Sequence, residues 1–88
     1  MAYQLFSRIS LAEDLPEYGL RKGDLATIVE RHKGGPGQET GYSLEVFNAL
    51  GETITVLVVE ESKILSVHAD EILQVRRLEN ENITTLNS

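Results

Sequence analysis

Alternating apolar and polar residues predict a series of short β-strands in this chain. The alternation is clearest over residues 42–48, where Tyr42, Leu44 and Val46 recur at every second position, as one side of a strand requires. The other strands are predicted over residues 5–11, 25–31, 52–59, 62–67 and 72–78. Five or six short antiparallel strands with scarcely any helix predict an all-β fold, closed as a small barrel.

The fourth predicted strand is apolar on both sides. Ile54, Val56 and Val58 share one side, whereas the other side begins with threonines and ends with Leu57 and Val59. A strand that is apolar on both sides usually has both of them covered. We therefore expect both sides of this strand to be covered.

A long acidic loop over residues 12–23 leads into the second strand. Pro16 pushes the residue before it towards extended geometry, and Gly19 and Gly23 tolerate positive φ without steric cost. An acidic, proline-containing loop that runs through a glycine turn into a β-branched strand is typical of the first long loop of an SH3-like barrel. A 3₁₀ turn is predicted at residues 68–71, immediately before the last strand.

The length of 88 residues leaves room for one domain. We predict an SH3-like β-barrel domain over residues 1–78 and a disordered polar tail over residues 79–88. The chain has no cysteine, which excludes disulfides, thiolate metal ligands and thiol nucleophiles. Without a basic and apolar leader or an apolar run long enough for a bilayer, a cytoplasmic location is expected.

The net charge of −6 disfavours polyanionic partners. A surface that binds nucleic acid must neutralise phosphates with Lys and Arg, and the eight such residues here are scattered along the chain. Nucleic acid is therefore an unlikely partner. A nucleic-acid- or ribosome-associated module remains the alternative, and it requires Arg8, Lys63, Arg76 and Arg77 to cluster on one face.

Side chains that could carry catalysis or bind a metal are few. His68 lies near Asp70 and Glu71, but neighbours in one tight turn rarely converge on an ion, so a structural turn is expected. The glycine-rich loop over residues 33–41 lacks the Gly-Lys-Ser/Thr ending of a phosphate cradle. The carboxylates of the long loop have no pocket that would raise a pKa for acid–base work. We expect no enzyme activity, no metal and no cofactor.

Three blocks of the sequence together resemble one bacterial family. They are residues 11–30 (LAEDLPEYGLRKGDLATIVE), residues 42–47 (YSLEVF) and residues 70–76 (DEILQVR). The chain is similar in these blocks to the family called domain of unknown function 4926, which is frequent in cyanobacteria. The usual pattern often has glycine where this chain has Ala26, a change that could alter packing there.

The resemblance implies an SH3-like fold but no chemistry. No catalytic or binding residues are established for the family, so none can be carried over to this chain. Some members are encoded beside small toxin-like partners, which implies an antitoxin or immunity role.

The function predicted from the sequence is that of a non-enzymatic protein-interaction module. It would be an antitoxin- or immunity-like protein or an accessory subunit, with a partner possibly encoded nearby and with self-association possible. The aromatic and apolar side chains of Tyr18, Phe47, Leu57 and Val59 either pack beneath the long loops or form an exposed contact patch. The candidate contact surface consists of Glu13, Asp14, Glu17, Tyr18, Phe47 and Leu57.

Overall fold

A computed structural model describes residues 3–78 of the chain, and all the regular structure in that range is β-strand or 3₁₀ helix. The strands are β1 (Arg8–Leu11), β2 (Leu25–His32), β3 (Gly41–Phe47), β4 (Thr53–Glu60) and β5 (Ile64–Ser66). They form one antiparallel sheet in the order β4-β3-β2-β1-β5. The predicted all-β fold of short antiparallel strands is confirmed, and the number of strands is five. The predicted tail over residues 79–88 lies outside the described residues.

Two single-turn 3₁₀ helices, at Pro16–Tyr18 and Glu61–Lys63, complete the regular structure of residues 3–78. The second one lies directly before the last strand, so a 3₁₀ turn in that position is confirmed. Its location differs from the prediction, because residues 68–71 form an ordinary turn closed by a bond of 3.1 Å from the Glu71 amide to the His68 carbonyl.

The prediction of a sixth strand over residues 72–78 is wrong. That segment has no regular structure and no strand neighbour among residues 3–78, and Ile72, Leu73 and Val75 face solvent. The first strand is also shorter than predicted and begins at Arg8. The strand does not extend back to residue 5 because Phe6 has a φ of 65°, in the left-handed region that non-glycine residues rarely adopt.

The core lies on one side of the sheet and follows the alternation of each strand. It contains Ile9, Leu11, Leu20, Ala26, Ile28, Tyr42, Leu44, Val46, Leu57, Val59 and Ile64. The inward positions predicted for β3 are confirmed, since Tyr42, Leu44 and Val46 are all buried. Leu20 comes from the long loop, which therefore packs against the core.

Tyr42 ties three parts of the fold together at the centre of the core. Its hydroxyl donates to a Glu61 carboxylate oxygen at 2.8 Å and accepts from the Tyr3 amide at 3.1 Å. The Tyr3 ring packs edge-on against the Tyr42 ring, with centroids 5.7 Å apart. Burial raises the pKa of Tyr42, and the neighbouring Glu61 carboxylate raises it further. The hydroxyl therefore stays a hydrogen-bond donor and has a structural role.

A β-bulge at the start of β4 decides which side of that strand is buried. Phe47 lies opposite Thr53, yet Val46 lies opposite Thr55, so Ile54 is an extra residue in the pairing. Beyond the bulge, Leu44 is opposite Leu57, which enters the core. Without the extra residue Leu44 would be opposite Val56 instead, because a shift of one residue turns every side chain to the other face.

Candidate functional site

The acidic loop uses two of its predicted contact residues for internal interactions. The Glu13 carboxylate accepts from Lys63 Nζ at 2.7 Å, an ion pair that raises the pKa of Lys63. Asp14 accepts from the Lys22 amide at 2.8 Å and so holds the two ends of the loop together. Both carboxylates are exposed, but each already has a partner within its own chain.

Glu17 and Tyr18 lie in the first 3₁₀ helix and face solvent. Pro16 begins this turn, and Gly19 ends it with a φ of 70°. Tyr18 is 40% exposed, and its amide donates to the Leu15 carbonyl. Of the four predicted contact residues in the loop, these two are the ones that are exposed and whose side chains have no hydrogen-bond or ion-pair partner among residues 3–78.

Leu57 does not belong to the candidate contact surface. Its side chain is 4% exposed and packs in the core, because the bulge in β4 turns it inward. Phe47, by contrast, is 42% exposed at the end of β3. The predicted surface is thus corrected by the loss of Leu57, and its aromatic members Tyr18 and Phe47 remain exposed.

Several exposed apolar side chains of the sheet lie on the side that faces away from the core. We call this side of β3 and β4 the outer face, and its apolar residues are Phe47, Val56 and Val58, with Ile54 at the bulge. Val56 and Val58 are 57% and 62% exposed. The prediction that β4 is covered on both sides is wrong, since only Leu57 and Val59 are buried.

Carboxylates border the apolar part of the outer face. Glu45 lies directly opposite Val56, and Glu60 follows Val58 at the next outward position of β4. Glu30 lies opposite Ser43 and so points to the same side from β2. The His32 side chain lies at the same border. Its Nε2 is 2.7 Å from the Ser43 hydroxyl oxygen and 3.9 Å from a Glu30 carboxylate oxygen. The outer face is therefore apolar with an acidic border.

The backbone of β4 has an unpaired edge within the described chain. The Glu61 amide donates to the Thr40 carbonyl at 2.9 Å, which makes Gly41 and Glu60 a non-hydrogen-bonded pair. By alternation, the N–H and C=O groups of Glu60, Val58 and Val56 point away from β3. No residue from 3 to 78 hydrogen-bonds to them, because β3 is the only sheet neighbour of β4.

A second ion pair that the sequence pattern does not predict joins Asp24 to Arg76, in distant parts of the chain. Arg76 Nε donates to Asp24 Oδ1 at 3.0 Å, its Nη2 donates to Oδ2, and Nη2 also reaches the Gly19 carbonyl at 3.2 Å. Partial burial alone would raise the pKa of Asp24, but Arg76 and the Arg21 amide outweigh it and hold that pKa below its usual value. The pair fastens residues 76–78 to the loop.

No signal in the sequence could have paired Asp24 with Arg76, which are 52 positions apart. The outer face could have been found in part, because the two apolar sides of β4 were visible and only their assignment was wrong. Among residues 3–78, no three His, Asp or Glu side chains are grouped so that they could hold a metal ion. No helix in that part of the chain is long and apolar enough to cross a membrane.

A known protein family matches the part of the chain that forms the whole sheet. The family model described as domain of unknown function (DUF4926) matches residues 5–66. The chain belongs to this family. The DUF4926 match covers β1 to β5, including the outer face and the acidic loop, and it ends before residues 70–76, the last block on which the resemblance was based. No curated protein and no solved structure matches this DUF4926 chain.

Proposed function

We propose that this DUF4926 protein is a non-enzymatic interaction module that binds a basic protein on the outer face of β3 and β4. In the cell it would act as an antitoxin- or immunity-like protein or as an accessory subunit, with a partner encoded nearby. The observation that carries the proposal is the exposure of Val56 and Val58 beside Phe47 on a regular, well-supported sheet.

Burial on the other side of the sheet supports a binding role for the outer face. Leu57, between Val56 and Val58, is fixed in the core and holds the backbone of β4 in place. The valines are thus presented by a rigid strand, so little conformational entropy is lost when a partner covers them. Exposed apolar groups with a polar border are a common property of protein contact sites.

The charges around the outer face favour a basic partner. Glu30, Glu45 and Glu60 point to this face, and the chain as a whole carries a net charge of −6. A partner with Lys or Arg around an apolar centre would match this arrangement and would be steered towards it. Because those contacts lie at the border, added salt should slow association.

Two ion pairs weigh against nucleic acid as the partner. Of the four cations that such a surface would need, Lys63 is paired with Glu13 and Arg76 is paired with Asp24. The other two of the four, Arg8 and Arg77, have no salt bridge among residues 3–78, and their backbone positions lie in β1 and beyond β5. These observations support the protein-binding proposal over the alternative.

The test is co-expression with the product of the adjacent gene. We expect the tagged wild-type chain to retain that product, and the double variant Val56→Ser with Val58→Ser to retain at least about tenfold less, as expected for lost apolar contacts. If the adjacent product inhibits growth, the wild-type chain should restore growth and the double variant should not. Binding without growth inhibition would indicate an accessory subunit.

Leu50→Ser is the matched control for these substitutions. Leu50 is also exposed and apolar, but it lies in the turn between β3 and β4 rather than on the outer face. It should retain the partner as the wild type does. Equal retention by the double variant, or no retention by the folded wild-type chain, would contradict the proposal.

A further inference from the structure

A segment near the C-terminus of the described chain is exposed in the way that a strand without its partner would be. Every residue from 65 to 75 is exposed, and Ile72 and Val75 have more than four-fifths of their surface in solvent. We call residues 71–75 the C-terminal segment. Apolar side chains of this size are rarely left in water along a whole extended stretch.

The backbone of this segment is also unpaired. The Glu71 amide bonds to the His68 carbonyl, but among residues 3–78 no hydrogen bond involves the N–H or C=O groups of residues 72–75. The segment is nevertheless held at its far end, because Arg76 is bound to Asp24 and to the Gly19 carbonyl. It is therefore a tethered segment whose backbone hydrogen-bonding groups are free at residues 72–75.

The unpaired edge of β4 matches this segment in length and in hydrogen-bonding capacity. Its free groups belong to Val56, Val58 and Glu60, which span five residues, as do residues 71–75. Both elements consist largely of β-branched and leucine side chains, which pack well across neighbouring strands. An exposed sheet edge is the usual site for addition of an extended chain.

Charge favours this pairing over that of two β4 edges. Residues 52–61 contain Glu52, Glu60 and Glu61 and no Lys or Arg, whereas residues 71–75 contain one carboxylate, Glu71, and are followed directly by Arg76 and Arg77. Two β4 strands placed side by side would bring like charges together. A β4 edge beside the C-terminal segment adds only one carboxylate, with two arginines next to the segment, so this pairing carries less repulsion.

We propose that two copies of this chain form a dimer by reciprocal strand exchange, in which the C-terminal segment of each copy adds to the β4 edge of the other. This goes beyond the proposed function, since it uses the edge of β4 and leaves the outer face available. The added strand would enlarge that face with side chains from residues 72–75. Each copy supplies one edge and one segment, so a reciprocal exchange between two copies leaves no edge or segment unpaired, whereas one-way addition would produce longer assemblies.

The test measures the mass of the full chain by light scattering or sedimentation over a dilution series. The wild type should have twice the 9.8 kDa mass of one chain. Val58→Pro removes an N–H that points to the free edge, and Leu73→Pro removes one from the C-terminal segment, so neither breaks a hydrogen bond within residues 3–78. Each should weaken dimerisation by about tenfold or more.

Val58→Thr and Leu73→Ile are the controls, because they keep the N–H groups and should remain dimeric. A mixture of the two proline variants is the most specific test. Val58→Pro retains an unchanged C-terminal segment, and Leu73→Pro retains an unchanged β4 edge. Tagged Val58→Pro should therefore capture untagged Leu73→Pro, although neither captures itself. A wild type that is monomeric at every concentration would overturn the proposal. Dimerisation of Leu73→Pro to the same extent as the wild type would also overturn it, because it would indicate that the β4 strands of two copies pair with each other.

Discussion

The two sides of β4 consist of the same kind of residue and have opposite surroundings. Leu57 and Val59 are buried among the side chains of β3, whereas Val56 and Val58 are more than half exposed. Hydrophobicity therefore does not explain which pair enters the core. The pairing of β4 with β3 explains it, since a residue of β4 faces inward only when it lies opposite an inward residue of β3.

The bulge at Ile54 is the structural cause of this difference. If the register of Phe47 with Thr53 continued along the hairpin, Tyr42 would be opposite Val58 and the other side of β4 would be buried. Leu57 would then be exposed. One extra residue thus separates the part of β4 that stabilises the fold from the part that is available for binding.

The largest expected effect on stability follows from truncating an inward side chain of β4. Leu57→Ala should lower the free energy of unfolding by about 2–5 kcal/mol, because it removes buried methyl groups and leaves a cavity. Val58→Ala on the outer side should change it by less than about 0.5 kcal/mol. Urea unfolding, followed by circular dichroism at equal chain concentrations, measures both values. Similar losses for the two variants would mean that both sides of β4 are buried.

The next effect concerns the pair that fastens the C-terminal segment, far from β4. Asp24→Asn should lower the free energy of unfolding by about 1–2 kcal/mol at neutral pH, since it weakens charged hydrogen bonds to Arg76. Urea unfolding of the wild type and the variant at equal chain concentrations measures this difference, and equal values would mean that the pair adds no stability.

The Asp24 effect should depend on pH with a definite sign. The pKa of Asp24 is lower in the folded chain than in the unfolded one, where it is about 3.9. Its contribution is therefore complete above that value and is lost as the pH falls towards the folded pKa. The difference between the wild type and Asp24→Asn should close below about pH 4. A difference that persists unchanged at lower pH would show that the carboxylate charge is not responsible.

A smaller effect is expected where the hydroxyl of Tyr42 supports the inward side of the sheet. Tyr42→Phe keeps the ring opposite Val59 but leaves the Tyr3 amide and the Glu61 carboxylate without this partner. The free energy of unfolding should fall by about 1 kcal/mol, less than for Leu57→Ala. Thermal unfolding of the two variants under one condition gives the ranking, and the reverse order would contradict it.

The smallest effect is an alternation of amide exchange along β4, with no change in stability. In the Leu73→Pro variant, the amides of Leu57 and Val59 should exchange slowly because they bond to β3. Those of Val56 and Val58 should exchange faster because they point to the free edge. Hydrogen exchange followed by NMR resolves the four amides. Uniform protection in a monomeric sample would mean that the edge of β4 is covered by its own chain.

The sequence determined the strand-forming segments and the class of fold. The alternation of Tyr42, Leu44 and Val46 is a local property, and so is the glycine turn that ends the acidic loop, so both were predictable. The acidic residues were also found, but their partners were not. Lys63 and Arg76 lie far along the chain from Glu13 and Asp24, and only folding brings them together.

The tertiary structure decided the rest, namely which side of β4 is buried and whether residues 72–78 join the sheet. Both depend on pairing with another strand, and pairing is a non-local interaction that a period-two pattern cannot specify. The apolar residues of β4 were all visible in the sequence. A single bulge, set by the geometry of the β3–β4 hairpin, made Leu57 part of the core and left Val56 and Val58 on the surface.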